Sequence, residues 1–254
     1  MTHLLFVHGL RVTSNCWNPF RDRAEERGFT TTVLPWPHLD KPAADLRRDP
    51  PAALGGLGLK ELVAYFSDHI RAAPEPPVLI GHSVGGLLVQ LLIDRNLGRA
   101  AAALDPAPIR GLLPPPSGLA VHAPVLFRPW RKLDLFSRQS WARDFANGLP
   151  AEVSDAVYDA HVVPAPTRVF RQAAMGLHNG VRPGPGKPPL LLVAGTGDRT
   201  VPASIVRAAH RKYSRAGAPV ELMEAPGHSH WLIAEPGWEV IADGVFDWVK
   251  RVAG

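Results

Sequence analysis

Short apolar runs and longer stretches of helical periodicity alternate along most of this chain. Leu4-Leu5-Phe6-Val7 is continuous, apolar and followed at once by His8-Gly9, the pattern of a buried strand that ends in a loop. Trp17, Phe20 and Ala24 then share one helical face, with Gly28 in position to cap it. Thr30 to Leu34 is β-branched and predicts the next strand, whereas Pro35 to Pro51 is dense in proline and charge and reads as a surface excursion. Leu59, Leu62, Val63, Phe66 and Ile70 mark a helix that Pro74, Pro76 and Pro77 stop before the strand Val78-Leu79-Ile80. Beyond a sharp turn, Leu87, Leu88, Leu91 and Leu92 return to helical spacing, and Ala100 to Leu104 reads as a strand. Leu190 to Ala194 and Pro219 to Met223 add two more strands around a helix through Ile205, Val206 and Ala209, and Ile241, Val245, Trp248, Val249 and Val252 close the chain as an amphipathic helix.

Strands alternating with helices predict an α/β fold, a mostly parallel sheet of about six strands covered by helices on both faces. The interruption lies at about 106–189, which holds 14 of the 27 prolines, many aromatics and no clear strand. A structureless loop of that length inside a compact domain is improbable, so the stretch is expected to be an inserted helical cap within a single domain spanning 1–254. No internal repeat is present.

Composition narrows the class. Apolar residues make up 46% of the 254 and charged residues 20%, enough for a sizeable core. The lone Cys16 allows no internal disulfide, the start of the chain lacks a basic flank before a long apolar run, and no apolar stretch nears the ~20 residues of a membrane span. These features predict a soluble, cytoplasmic protein with no membrane span. The net charge of +5 raises the question of a nucleic-acid partner. Between Ile109 and Pro189 ten Lys/Arg stand against five acids, an excess equal to the whole net charge, yet no block of like charge or basic-aromatic repeat accompanies it. No nucleic-acid partner is expected. The excess is either a solvated arginine-rich surface or a region that attracts acidic substrates.

Chemistry enters at Gly81-His82-Ser83-Val84-Gly85, a G-x-S-x-G pentapeptide. A tight strand-to-helix turn lifts a serine hydroxyl above a sheet only if its flanks are small. The pentapeptide alone is weak, but here it follows an apolar strand and opens an apolar helix, the context that gives it meaning. A serine hydroxyl is a poor nucleophile near neutral pH and needs a base, and the base needs an orienting acid. Asp198 lies directly after the strand Leu190–Ala194 in Gly195-Thr196-Gly197-Asp198; the same glycine-flanked position also suits a turn or N-cap aspartate. Asp105, at the end of the Ala100–Leu104 strand, is the reserve acid, with a turn residue before Pro106 as its plainer reading. For the base, His228 and His230 compete in Pro226-Gly227-His228-Ser229-His230-Trp231. No third ligand accompanies that pair at a metal-binding spacing, and no metal is expected.

Taken together, Phe6-Val7-His8-Gly9-Leu10, Gly81-His82-Ser83-Val84-Gly85-Gly86, Gly197-Asp198-Arg199-Thr200-Val201-Pro202 and His230-Trp231-Leu232-Ile233-Ala234-Glu235-Pro236 resemble the α/β-hydrolase superfamily, in particular its small bacterial esterase-like branch. The resemblance implies the α/β-hydrolase fold with a catalytic triad of Ser83, Asp198 and His230. Such proteins place the catalytic histidine five residues before a glutamate, a spacing that His230 keeps to Glu235 and His228 does not. It also implies an oxyanion hole built from the N–H groups of Val84 and Leu10, with Gly9 letting the loop approach and His8 fixing it by hydrogen bonding. Relatives often carry two further leading strands, so a trimmed sheet is expected here.

The function implied is that of a serine hydrolase cleaving a carboxylic ester, lactone or thioester through an acyl-enzyme on Ser83. The substrate is expected to be a small molecule with an apolar portion, met by cap aromatics among Phe127, Trp130, Phe136, Trp141 and Phe145, which otherwise pack within the cap. Two alternatives stay open: a non-hydrolytic reaction at the same site, such as that of a lyase, cyclase or cofactor-free oxidase, and a ligand receptor that retains the triad. Aspartate-nucleophile chemistry is disfavoured by Ser83. No cofactor is expected, since there is no G-x-G-x-x-G after a strand, no Walker loop and no cysteine cluster.

Overall fold

The computed structural model describes residues 1–112 and 130–254. Its strands in chain order are β1 (His3–Val7), β2 (Thr30–Leu34), β3 (Val78–His82), β4 (Ala100–Leu104), β5 (Leu133–Asp134), β6 (Ala165–Pro166), β7 (Leu190–Gly195) and β8 (Val220–Ala225). The main helices are α1 (Asn18–Glu26), α2 (Ala43–Arg48), α3 (Leu59–Ala72), α4 (Val84–Ile93), α5 (Ala151–His161), α6 (Thr167–Ala174), α7 (Ala203–Arg215) and α8 (Trp238–Ala253). Six strands form one wholly parallel sheet in the order β2-β1-β3-β4-β7-β8.

The apolar runs read as strands because both sheet faces are covered. Leu5 and Val7 of β1 point into a core with α3, α4 and α7, while Leu4 and Phe6 point into a second core with α1 and α8. With side chains alternating between two apolar layers, no position in β1, β3 or β4 calls for a polar residue until the strand ends. All ten residues of α4 are buried, because this helix packs on β3 and β4 and is itself covered by α3.

Two expectations need correction. The proline-rich stretch 35–51 is not wholly a surface excursion: Trp36, Leu39, Ala43 and Leu46 are buried and α2 forms within it. Those four positions keep helical spacing, which the intervening prolines obscure. Between β4 and β7, β5 and β6 pair antiparallel as a two-residue ribbon where no strand was expected. A two-residue pairing between segments about thirty residues apart has no periodicity to betray it. The rest of the described 130–189 stretch holds α5, α6 and a short helix, Arg138–Ser140, running into the π-turn Trp141–Phe145. Of the ten cations counted there, Arg138, Arg143, Arg168 and Lys187 are ion-paired, and Arg128 lies outside the described residues. No described helix is long and apolar enough to cross a membrane.

Candidate active site

Sheet topology decides where chemistry can sit. The chain steps from β1 to β2 on one side and returns through β3 on the other, so the loops leaving β1 and β3 diverge and open a crevice at their carboxyl ends. Ser83 follows β3 there, and His8-Gly9-Leu10 follows β1. The main chain of Ser83 is held at φ 56°, ψ −120°, a conformation that costs a non-glycine residue on the order of 1–3 kcal/mol. Three backbone hydrogen bonds enforce it: Ser83 N–H to Leu104 O at 2.9 Å, Ala107 N–H to Ser83 O at 2.9 Å and Leu87 N–H to Ser83 O at 3.0 Å. The flanking glycines are required sterically. A Cβ on Gly81 would overlap the Gly85 backbone, and one on Gly85 would overlap the Val7 carbonyl and stand 2.7 Å from that of His8.

Asp198, on the loop after β7, and His230, beyond β8, meet although 32 residues apart. His230 Nδ1 donates to Asp198 Oδ2 at 2.6 Å, and both side chains are fully buried. Asp198 Oδ1 accepts the N–H groups of Thr200 at 2.6 Å and Val201 at 2.8 Å, so the carboxylate is fixed by three donors. With Nδ1 protonated, Nε2 is left as an acceptor; it is buried and has no hydrogen-bond partner among the described residues. No hydrogen bond joins Ser83 to His230, a contact often loose in unliganded enzymes. The imidazole does not itself line the pocket that Ser83 lines, but it touches a residue that does: Phe145 sits edge-on to the ring at 4.5 Å between centroids.

The competing histidine is engaged elsewhere. His228 Nδ1 pairs with Glu235 Oε1 at 2.9 Å, and Glu235 also accepts the Ser229 N–H and hydroxyl. Glu235 therefore braces the loop carrying His230, which gives the five-residue spacing a physical reason. Asp105 is close by: one polar side-chain atom from each of Asp105, Asp198 and His230 lies within 4.8 Å of the other two, but the His230 N–H is accepted by Asp198.

Two histidines hold the frame rather than the reactive atoms. His8 Nδ1 donates to Gly9 O at 2.9 Å, and Nε2 accepts the Trp36 N–H at 3.0 Å. Burial lowers its pKa from 6.5 to about 4, against a smaller opposing effect of the Gly9 carbonyl. His82 Nε2 donates to the His230 carbonyl at 2.7 Å, tying the elbow to the histidine loop. Burial first, then the neighbouring His230, pushes its pKa well down. The sequence singled out His82 only as the variable residue of the pentapeptide; its position at the end of β3, facing the β8 loop, was the missing information.

Leu10 and Val84 line the pocket together with Ser83, Phe145, Phe170, Val201 and Ile205. Val84 opens α4, so its N–H is one of the first-turn donors that a helix leaves without an internal partner. Among the other aromatics, Phe136 and Trp141 are buried in the core, Trp130 is exposed, and Phe127 lies outside the described residues. Arg11, which sequence reasoning missed, also lines the pocket; it grips Asp134 Oδ2 through Nε at 3.0 Å and Nη2 at 2.7 Å and lies 4.0 Å over the Phe136 ring.

Residues 4–243 match the family described as the alpha/beta hydrolase family. No curated protein is matched. Among solved structures, an extracellular alpha/beta-hydrolase from a Paenibacillus species superposes with a TM-score of 0.71 at 15% identity over 100% of both chains. The Paleococcus ferrophilus monoacylglycerol lipase gives 0.70 at 20% identity, covering 99% of this chain and 95% of that one. Tomato methylketone synthase I, solved with 2-tridecanone, gives 0.67 at 14% identity over 99% and 98%. At these identities the structural matches speak to the fold alone.

Proposed function

The chain belongs to the alpha/beta hydrolase family, and from that premise we propose that it is a serine hydrolase cleaving a carboxylic ester, lactone or thioester through an acyl-enzyme on Ser83. The observation that carries this reading is the buried Asp198–His230 hydrogen bond, which leaves Nε2 without a partner near a pocket lined by a serine in a strained turn. His230 Nε2 takes the Ser83 hydroxyl proton as Oγ attacks the carbonyl carbon. The oxyanion receives the N–H groups of Leu10 and Val84, and the proton on Nε2 passes to the departing oxygen or sulfur. Water, deprotonated by the same nitrogen, then cleaves the acyl-enzyme and restores Ser83.

The pocket favours a substrate with an apolar portion, since its lining is mostly aliphatic and aromatic, with Arg11, Ser83 and Thr200 as its polar members. In this reading the described residues 130–189 form part of a cap over the site, and residues 113–129 of the expected cap lie outside the described residues. A fluorophosphonate probe and short p-nitrophenyl esters test it on the wild type and Ser83→Ala. Labelling and turnover are both expected to vanish in the variant, and His230→Ala is expected to lower turnover far more than His228→Ala. Labelling without ester turnover by the wild type would count against ester hydrolysis and favour a non-hydrolytic reaction or a receptor; equal losses in the two histidine variants would show the base to be misassigned.

A further inference from the structure

Asp105 stands where β4 ends, in the sparsely populated left-handed region at φ 40°. Its N–H is bound by Val193 O at 2.9 Å, its Oδ1 accepts the Gly195 N–H at 2.7 Å, and the residue is fully buried. Oδ2 has no N–H or hydroxyl partner among the described residues. What surrounds it is acceptors. The Asp198 carboxylate is within interaction range, and the carbonyls of His228 and Ser229 crowd the same space over Gly195. Two bare carboxylates offer each other no donor, and two like charges at this spacing in a buried site do not both persist. One proton is required. Asp198 is the poorer holder, because three donors already stabilise its charge; Asp105 has one.

We propose that Asp105 is a neutral carboxylic acid near pH 7, that it donates its Oδ2 proton to the Asp198 carboxylate, and that it acts through Asp198 as a positioning residue for the His230 base. Burial and then the Asp198 charge raise its pKa well above the usual carboxyl range, with Glu235 adding to them and the Gly195 N–H opposing. The titratable groups that face it are Asp198 from the loop after β7 and His230 and Glu235 from the loop after β8; His82, at the end of neighbouring β3, has its Nε2 committed to the His230 carbonyl. A neutral Asp105 leaves a single negative charge beside the imidazole. An ionised one would place a second there, a difference that the pH profile of turnover reads.

The functional half rests on the triad reading; the protonation does not, and the two are separable by experiment. Infrared difference spectroscopy of the intact protein near pH 7 is expected to show a protonated-carboxyl stretch that disappears in Asp105→Asn; no such band in the wild type would overturn the proposal whatever the enzyme hydrolyses. In ester turnover, Asp105→Ala is expected to lower kcat by about tenfold or more with little change in KM, because Asp198 loses a buried donor. Asp105→Asn, which keeps an N–H toward Asp198, an acceptor for Gly195 and tolerance of the left-handed backbone, is expected to restore most of it. The acid limb of kcat/KM is expected not to move in Asp105→Asn. A downward shift of about one pH unit or more would mean that a charge had been removed, and so that Asp105 is ionised in the wild type. A stoichiometric divalent ion retained by the protein would also overturn the proposal, since it would occupy the proton's place. Turnover that survives Ser83→Ala sinks the triad reading and leaves the infrared result to decide the protonation by itself.

Discussion

His8 offers a quantitative test of how the loop after β1 is held. Both ring nitrogens are committed, Nδ1–H to a carbonyl and Nε2 to the Trp36 N–H, so a second ring proton would break the latter bond and bury a charge. The native pKa, near 4, is below the ordinary 6.5, so between those values the unfolded chain binds more protons than the native one. The stabilisation is therefore complete above about pH 6.5 and is lost as the pH falls toward 4. At about pH 5 most of the unfolded imidazoles and few of the native ones are protonated; roughly 1.5 pKa units are drawn on, worth ~2 kcal/mol. In His8→Gln the side-chain oxygen can still accept the Trp36 N–H, and the titrating group is gone. The variant is expected to be about 1 kcal/mol less stable near neutral pH, from the lost bond to Gly9. The difference between urea-unfolding free energies at pH 7.5 and pH 5 is expected to shrink by about 2 kcal/mol relative to wild type. His82, lowered by burial, keeps part of the acid sensitivity in both proteins. An unchanged difference between the two pH values in His8→Gln would refute the reasoning.

Two further substitutions probe the frame. Gly85→Ala is expected to cost about 3 kcal/mol or more, or to prevent folding, because its Cβ overlaps the Val7 carbonyl, whereas Gly56→Ala, with open space at the same position, is expected to be close to neutral; similar thermal midpoints for the two variants would contradict the elbow packing. Arg11→Met leaves the Asp134 carboxylate without the buried guanidinium that grips it and frees the loop after β1 from the β5 segment, so about 1–2 kcal/mol of stability and a severalfold rise in KM are expected to go together. A double-mutant cycle with Asp134→Leu measures the coupling, and strict additivity would show the pair to be inert.

Local pattern was sufficient for the sheet. Each buried strand announced itself as a short apolar run, and the long helices outside 106–189 by spacing, because those signals arise from neighbours a few residues apart, whereas the eleven-residue α5 inside that stretch was not singled out. The elbow was equally legible, since the glycines at 81 and 85 answer a crowding set up by the turn itself. Positions of Asp198 after β7 and His230 after β8 followed from the order of elements. The choice of Asp198 over the reserve Asp105 rested on resemblance, and its physical reason is tertiary: the two end adjacent strands, and strand register together with the Thr200 and Val201 N–H groups brings Asp198 onto Nδ1. The partners of His8, Arg11 and His82 lie 28, 123 and 148 residues away along the chain, and no local spacing encodes them. Such pairings depend on how six strands are ordered and how the connections cross the sheet edge, so tertiary structure alone decided which polar groups are satisfied and which, like Asp105 Oδ2, are left facing acceptors.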